Sequence, residues 1–273
     1  MPQLPESEVV SVEISGHVAT VWLDRPEKLN AMAPEFWTDF PAIIEALGAD
    51  DSVRVIVIAG RGRAFTVGID LMAFAPMMGI TESSVASRRG LYAEIKHMQE
   101  TFTSLAKSAK PVIAAVHGYC LGGGVDLITA CDIRLASADA IFSVRETKIG
   151  MVADVGTMQR LPDIIEPGRV AELVYTGRDV TADEAAQIGL VSHVYPDAAS
   201  LHKEAMAMAE EIAANSPLAV QGAKQVLRAG RDLPIDAALD YMAVWNAGFL
   251  TSNDLKEAVS AYFEKRPPHF DGT

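Results

Sequence analysis

The stretch that most limits the fold is residues 110–162. It starts with Val112–Val116 (VIAAV), an apolar run of the length and character of a strand buried on both faces. The chain then passes through His117-Gly118-Tyr119-Cys120-Leu121 into Gly122-Gly123-Gly124, and Val125-Asp126-Leu127-Ile128 opens a helix. A buried strand that feeds a glycine turn and a helix belongs to an α/β architecture. The turn also carries chemistry. The first N–H groups of a helix have no intrahelical acceptor and point outward at the positive end of its dipole. Glycines there let a ligand oxygen approach the backbone, although the same triplet also serves as a tight strand-to-helix packing turn.

Similar alternation runs through the rest of the chain. Residues 9–14 and 18–23 are β-rich runs joined by Ser15-Gly16-His17, a hairpin signal. Pro26 keeps residues 24–32 out of a central strand. Pro34 suits a helix's first turn, Phe36, Phe40, Ile43, Ile44 and Leu47 follow at helical spacing, and Gly48 marks the end. Residues 53–59 (VRVIVIA) predict another buried strand, followed by a glycine-punctuated loop over 60–70. A helix is expected over 81–109, with Leu91, Ile95, Met98, Phe102 and Leu105 along it and Pro111 beyond its end. Downstream, Thr181 and Glu184 have capping-box spacing ahead of Gly189, and residues 190–195 predict a short strand. Helices are expected over 198–214, from Ser216-Pro217, after Pro234, and over 253–265. The division predicted is an α/β core over residues 1–200 and a helical region over 201–273.

Composition excludes several partners. With 273 residues, 49% of them hydrophobic, the chain can bury a large core. A formal net charge of −13 speaks against nucleic acid and anionic membrane, which need broad cationic surfaces. An anionic small molecule needs only a local patch; Lys28, Arg61 and Arg63 read as solvated cations or as partners of ligand phosphates. Cys120 and Cys131 lack metal-ligand spacing and read as buried thiols of a reducing compartment; His117 and His193 lack partner ligands and read as structural. The N-terminus shows no basic-then-apolar leader and no apolar run is long enough to cross a bilayer, so the cytoplasm is the expected location.

Asp126, Glu146 and Asp154 fall close together among mostly apolar neighbours. Each has an ordinary reading: Asp126 as an acceptor near a helix start, Glu146 in a surface ion pair with Arg145 or Lys148, Asp154 as an N-cap. Each also has a chemical one. Carboxylates that share an apolar pocket have their proton affinities pushed apart, which yields an acid and a base from one residue type. A second backbone donor stands upstream at Ile69, in Thr66-Val67-Gly68-Ile69-Asp70. Two N–H groups converging on one oxygen would form an oxyanion hole.

Taken in order, the motifs Asp24-Arg25-Pro26-Glu27-Lys28-Leu29-Asn30-Ala31, Ala64-Phe65-Thr66-Val67-Gly68-Ile69-Asp70, His117-Gly118-Tyr119-Cys120-Leu121-Gly122-Gly123-Gly124 and Thr157-Met158-Gln159-Arg160-Leu161-Pro162 resemble the enoyl-CoA hydratase/isomerase (crotonase) superfamily over nearly the whole chain. The resemblance implies a crotonase-like spiral of ββα repeats with a C-terminal helical region for trimerisation and pocket closure. It also implies a homotrimer or a hexamer of two trimers. The implied substrate is an acyl-CoA thioester, with CoA entering as part of the substrate and neither metal nor redox cofactor required. Within the superfamily, Phe65 to Met72, Gly122 to Leu127 and Ala153 to Thr157 resemble the branch that shifts 3,5-dienoyl-CoA to 2,4-dienoyl-CoA in fatty acid β-oxidation.

On that resemblance the N–H groups of Ile69 and Gly123 hold the thioester oxygen. Asp154 takes a proton from C2, Glu146 delivers one at C6, and Asp126 is a supporting acid. Arg25, Lys28, Ala31, Ala64, Phe65 and Gly68 are the implied CoA contacts, and Lys265 an implied partner of CoA phosphate. Enoyl-CoA hydratase is the alternative. That branch carries glutamates at the positions matching Asp126 and Glu146 and a glycine at Asp154, so the extra carboxylate favours isomerisation. A catalytically silent acyl-CoA-binding protein of the same fold would have no use for Asp154. The stretch 73–89 is variable in the superfamily and lines the acyl pocket, so chain length is not legible in it.

Overall fold

The computed structural model describes residues 4–78 and 84–273. In chain order it opens with the hairpin β1 (Val10–Ser15) and β2 (Val18–Leu23), then α1 (Phe36–Ala49) and β3 (Val55–Gly60). Next come α2 (Leu71–Met78), α3 (Val85–Lys107), β4 (Val112–Val116), β5 (Tyr119–Leu121) and α4 (Gly123–Thr129). They are followed by β6 (Ile133–Ser137), β7 (Ile141–Ser143), α5 (Thr157–Arg160), α6 (Pro167–Thr176), β8 (Val180–Thr181), α7 (Ala182–Gln187) and β9 (His193–Tyr195). The chain ends in α8 (Ala198–Ala213), α9 (Pro217–Gly230), α10 (Ile235–Phe249) and α11 (Asn253–Glu264).

Two sheets share the strands. One runs β1-β2-β3-β4-β6-β9, antiparallel at β1–β2 and parallel thereafter; the other runs β5-β7-β8. Successive strands β4 and β5, then β6 and β7, therefore step from the large sheet to the small one before a helix follows, which is a ββα repeat. β3 and β4 are buried at every position, which explains their unbroken apolar runs.

Each face of the large sheet is covered. Phe36, Trp37, Phe40 and Phe102 of α1 and α3 pack in the main core with Ile56, Ile58, Ala114 and Val116. On the other face α8 lays Leu201, Ala205, Ala209 and Ala213, one every fourth residue, against Val55, Val57, Ile113 and Leu135. Alanines at this spacing let the helix approach closely. The predicted division at residue 200 thus falls inside a helix that covers the sheet, and the helices beyond it are α9 to α11.

Several boundaries differ from expectation for physical reasons. α1 begins at Phe36 rather than at Pro34, which sits in the lead-in turn where its carbonyl accepts the Trp37 N–H at 3.3 Å. Pro41 lies inside α1 and cannot donate to the Trp37 carbonyl. The buried Thr101 hydroxyl of α3 donates to that carbonyl instead, at 3.1 Å, so the interrupted ladder becomes an interhelical tie. The predicted start of the long helix at Thr81 lies outside the described residues; α3 is capped at Ser84, whose Oγ accepts the Ser87 N–H at 3.0 Å.

Candidate active site

β3 and β4 are parallel neighbours, so the loops that follow them emerge side by side at the same sheet edge. The two loops are tied. Phe65 N–H donates to the His117 carbonyl at 2.8 Å, Thr66 N–H to Tyr119 at 2.8 Å, and Leu121 N–H to Thr66 at 3.1 Å. Gly68 has a φ of +85°, and a Cβ there would stand 2.7 Å from the Leu121 carbonyl oxygen and 3.1 Å from the Gly123 nitrogen. Only glycine allows this approach. Met32 bridges the next residue by donating to the Gly68 carbonyl and accepting from Asp70. Ile69 N–H is left over, and Gly123 N–H is the first of α4; neither has an acceptor among the described residues. A Cβ built on Gly123 would lie 3.9 Å from the Ile69 nitrogen, so the two free donors are neighbours.

Both residues line a cavity of about 590 Å³ that Asp126, Glu146 and Asp154 also line. Asp126, in the first turn of α4, is fully buried. Its Oδ1 accepts the Thr157 N–H at 2.5 Å, while Oδ2 has no partner. Burial raises its pKa to about 6, the Thr157 hydrogen bonds oppose this, and the Asp154 charge adds to it. Glu146 opens the 3-10 turn Glu146–Ile149. Burial, then the charges of Asp126 and Asp154, push it up to about 7, and its Oε2 has no partner. The surface ion pair is absent: Arg145 pairs with Asp179 at 2.6 Å, and Lys148 forms no ion pair with Glu146. Asp154 is half-buried, and burial raises its carboxyl above the usual range. It is not a cap, because Gly156 takes that position on α5.

Three supports of this constellation have no role assigned from sequence: Gln99 lies in no motif, while Thr157 and Arg160 lie in one that does not reveal what they touch. Gln99 of α3 donates from Nε2 to the Asp154 carbonyl at 2.7 Å, which fixes the loop that carries the acid. Thr157 supplies the N–H on Asp126. Arg160 donates to Thr103 Oγ1 at 3.0 Å, and its charge favours ionised Asp126. Its guanidinium lies where a Cβ on Gly156 would be, 1.8 Å from Nη1. Trp37, Phe74, Met98 and Val155 are among the apolar residues of the lining.

The implied CoA contacts divide. Arg25 braces its own loop, with Nη1 on the Ala31 carbonyl at 2.9 Å and on Asp70 Oδ2 at 3.0 Å. Lys28 is exposed beside it at the end of the turn Pro26–Lys28, and Ala31 is half-buried. Ala64 and Phe65 have fully buried side chains, which leaves their backbone as the part that can meet a ligand, and Ala64's carbonyl accepts from Asn30 Nδ2. Lys265 ends α11 in the left-handed region and does not line the cavity. Arg61 is paired with Glu13 and stacked 3.7 Å over Trp22. His117 Nε2 meets the Gly62 carbonyl at 3.0 Å, and Cys120 and Cys131 are buried free thiols.

The raised acid makes a stability prediction. The folded state binds the Asp126 proton more tightly than the unfolded chain does. The resulting stabilisation is full below about pH 4 and is lost as pH rises through about 6, to the extent of about 3 kcal/mol. Asp126→Asn keeps Oδ1 for Thr157 and removes the charge, so it is expected to raise the melting temperature more at pH 8 than at pH 5. Thermal unfolding of both proteins at the two pH values checks this, and an equal shift at both would contradict it.

Residues 13–273 match the family model described as enoyl-CoA hydratase/isomerase. The chain is 46% identical over 253 residues to the mitochondrial Delta(3,5)-Delta(2,4)-dienoyl-CoA isomerase of Rattus norvegicus, covering 92% of this chain and 77% of that one. It is 42% identical over 268 residues to the peroxisomal Delta(3,5)-Delta(2,4)-dienoyl-CoA isomerase of Arabidopsis thaliana, covering 96% of each. Among solved structures, the enoyl-CoA hydratase of Bacillus anthracis superposes with a TM-score of 0.90 at 31% identity, over 97% of this chain and 100% of that one. With two free N–H donors and three carboxyls on one cavity, and with likeness along nearly its full length, the chain belongs to the enoyl-CoA hydratase/isomerase family.

Proposed function

We propose that this protein isomerises 3,5-dienoyl-CoA to 2,4-dienoyl-CoA, a step in fatty acid β-oxidation. The observation that carries the reading is Asp154 on the same cavity as Glu146 and the free N–H groups of Ile69 and Gly123. The two N–H groups take the thioester oxygen. Asp154 removes a proton from C2, and the electron pair spreads over the dienolate from C2 to C6 and onto the held oxygen. Glu146, its pKa about 7, is substantially protonated near neutrality and delivers a proton at C6. One C–H bond breaks at C2, one forms at C6, and the double bonds move from C3 and C5 to C2 and C4. Nothing is oxidised or reduced, so the step needs no redox cofactor. Asp126 supports by its charge on Glu146.

Hydratases share this fold, so the fold does not choose the reaction. Asp154 favours isomerisation, because a third carboxyl crowds the space that a reacting water would need. A spectrophotometric assay with 3,5-dienoyl-CoA and 2-enoyl-CoA side by side tests the reading. The conjugated 2,4-dienoyl absorbance is expected to grow in the first, without hydration in the second; the reverse pattern would make the protein a hydratase.

CoA binding is supported by exposed Lys28 and by the Gly68 backbone, which adjoins the cavity-lining Ile69 and Gly123. A trimer or a hexamer of two trimers is supported by apolar side chains left exposed on the last helices, among them Ile235, Leu239, Val244, Tyr262 and Phe263. No described helix is long and apolar enough to cross a membrane. Cytoplasm remains the reading for location on the sequence alone, whereas the relatives above are named mitochondrial and peroxisomal.

A further inference from the structure

The acyl wall of the cavity carries one charged group that the proton relay does not use. α3 places Leu91, Glu94, Ile95 and Met98 at helical spacings of three and four, so they form one stripe, and all four line the cavity. The stripe continues into Phe102 and Leu105, both fully buried in the core. Its depth increases along the helix, from Leu91 at 44% exposed to Met98 at 8%. Glu94 lies between them, half-buried, where every other member of the stripe is apolar.

Nothing visible explains a carboxylate at this position structurally. Glu94 has no ion pair or hydrogen bond among the described residues. The stretch 75–83 contains no lysine, arginine or histidine to supply a cationic partner. Burial and the neighbouring acids raise Asp126 and Glu146, and burial raises Asp154; these three form the reacting cluster, and Glu94 sits on a different element, α3.

We propose that Glu94 sets acyl-group specificity: the cavity takes acyl-CoA thioesters whose chain carries a hydroxyl where it runs along α3, and rejects chains that carry a carboxylate there. This rests on reading the cavity as an acyl-CoA site and not on which reaction follows. A plain methylene chain laid over Glu94 strips water from the carboxylate and gives nothing back. A hydroxyl donates to the carboxylate and restores the lost hydrogen bond. A second carboxylate adds like-charge repulsion in a partly dry wall. Because Glu94 is only half-buried, these effects are worth about tenfold each rather than the far larger factors of a sealed pocket.

Calorimetric titration of the full chain with saturated thioesters tests the proposal, because these bind without reacting. The probes are octanoyl-CoA, its hydroxy derivatives with the hydroxyl at each carbon from C5 to C8, and octanedioyl-CoA. The best hydroxy derivative is expected to bind about tenfold more tightly than octanoyl-CoA, and octanedioyl-CoA about tenfold more weakly. Glu94→Leu should reverse the first preference. Glu94→Gln, which keeps an acceptor, should retain most of the hydroxyl preference and relieve the carboxylate penalty. Ratios that stay the same in all three proteins overturn the role of Glu94, as does failure of every thioester to bind. A protein inactive on 3,5-dienoyl-CoA that still shows the shifted ratios loses the isomerase reading and keeps this one.

Discussion

Asp154→Asn is expected to lower kcat on 3,5-dienoyl-CoA by about 10³-fold or more, while affinity for a saturated acyl-CoA stays within about twofold. The asymmetry follows from where the side chain stands. Asp154 lines the cavity and is half-buried, and the hydrogen bond that fixes its segment, from Gln99, goes to its backbone carbonyl. The amide therefore inherits the position and loses only the base. The oxyanion donors belong to Ile69 and Gly123 and are untouched by the exchange. Removal of a carboxylate also withdraws a negative charge that raises both Glu146 and Asp126. Both should titrate lower in the variant, a shift that NMR can follow. Retained turnover would exclude Asp154 as the base at C2, and weakened thioester binding would make it a binding residue instead.

The parts of the fold legible in sequence are those whose pattern is local. The strands β3 and β4 announce themselves as runs without a polar residue because both faces are buried. The elements β5, β7 and β8 are two or three residues long, too short to show any period. α2 reads LMAFAPMM, apolar throughout and interrupted by Pro76, so it offers no face to detect. Pro41 argues against the middle of α1 until Thr101, far away in sequence, is seen to satisfy the carbonyl it releases.

The site divides in the same way. Its acids and glycines are visible as residue types in apolar company. Their meeting depends on the parallel pairing of β3 with β4, which brings Ile69 beside Gly123 across more than fifty residues. No local pattern encodes that strand order. Phe65 sits in a conspicuous motif and its side chain is fully buried in the core, where the motif alone does not separate anchoring the loop from presenting its backbone to a ligand. Glu94 is legible only once α3 is known to turn that stripe toward the cavity.

Glu146→Gln is expected to separate the two proton transfers. Overall isomerisation should fall by about 10²- to 10⁴-fold, because an amide cannot deliver the proton at C6. Exchange of the C2 proton with solvent should survive, since Asp154 and both N–H donors remain. The pH profile carries a second readout. Glu146 must be protonated to act, and its pKa is about 7, so wild-type activity should be high below that value and fall as pH rises through it. Asp154 must be ionised, and burial holds its pKa above the ordinary range, so activity should also fall on the acid side. The three carboxyls interact, so the two limbs report the cluster rather than single groups. In Glu146→Gln the residual C2 exchange should lose the alkaline limb and keep the acid one. Deuterium incorporation at C2 and at C6, followed by mass spectrometry across pH 5 to 9, measures both. If exchange at C2 falls in step with delivery at C6, Glu146 orients the substrate and the proton at C6 comes from elsewhere.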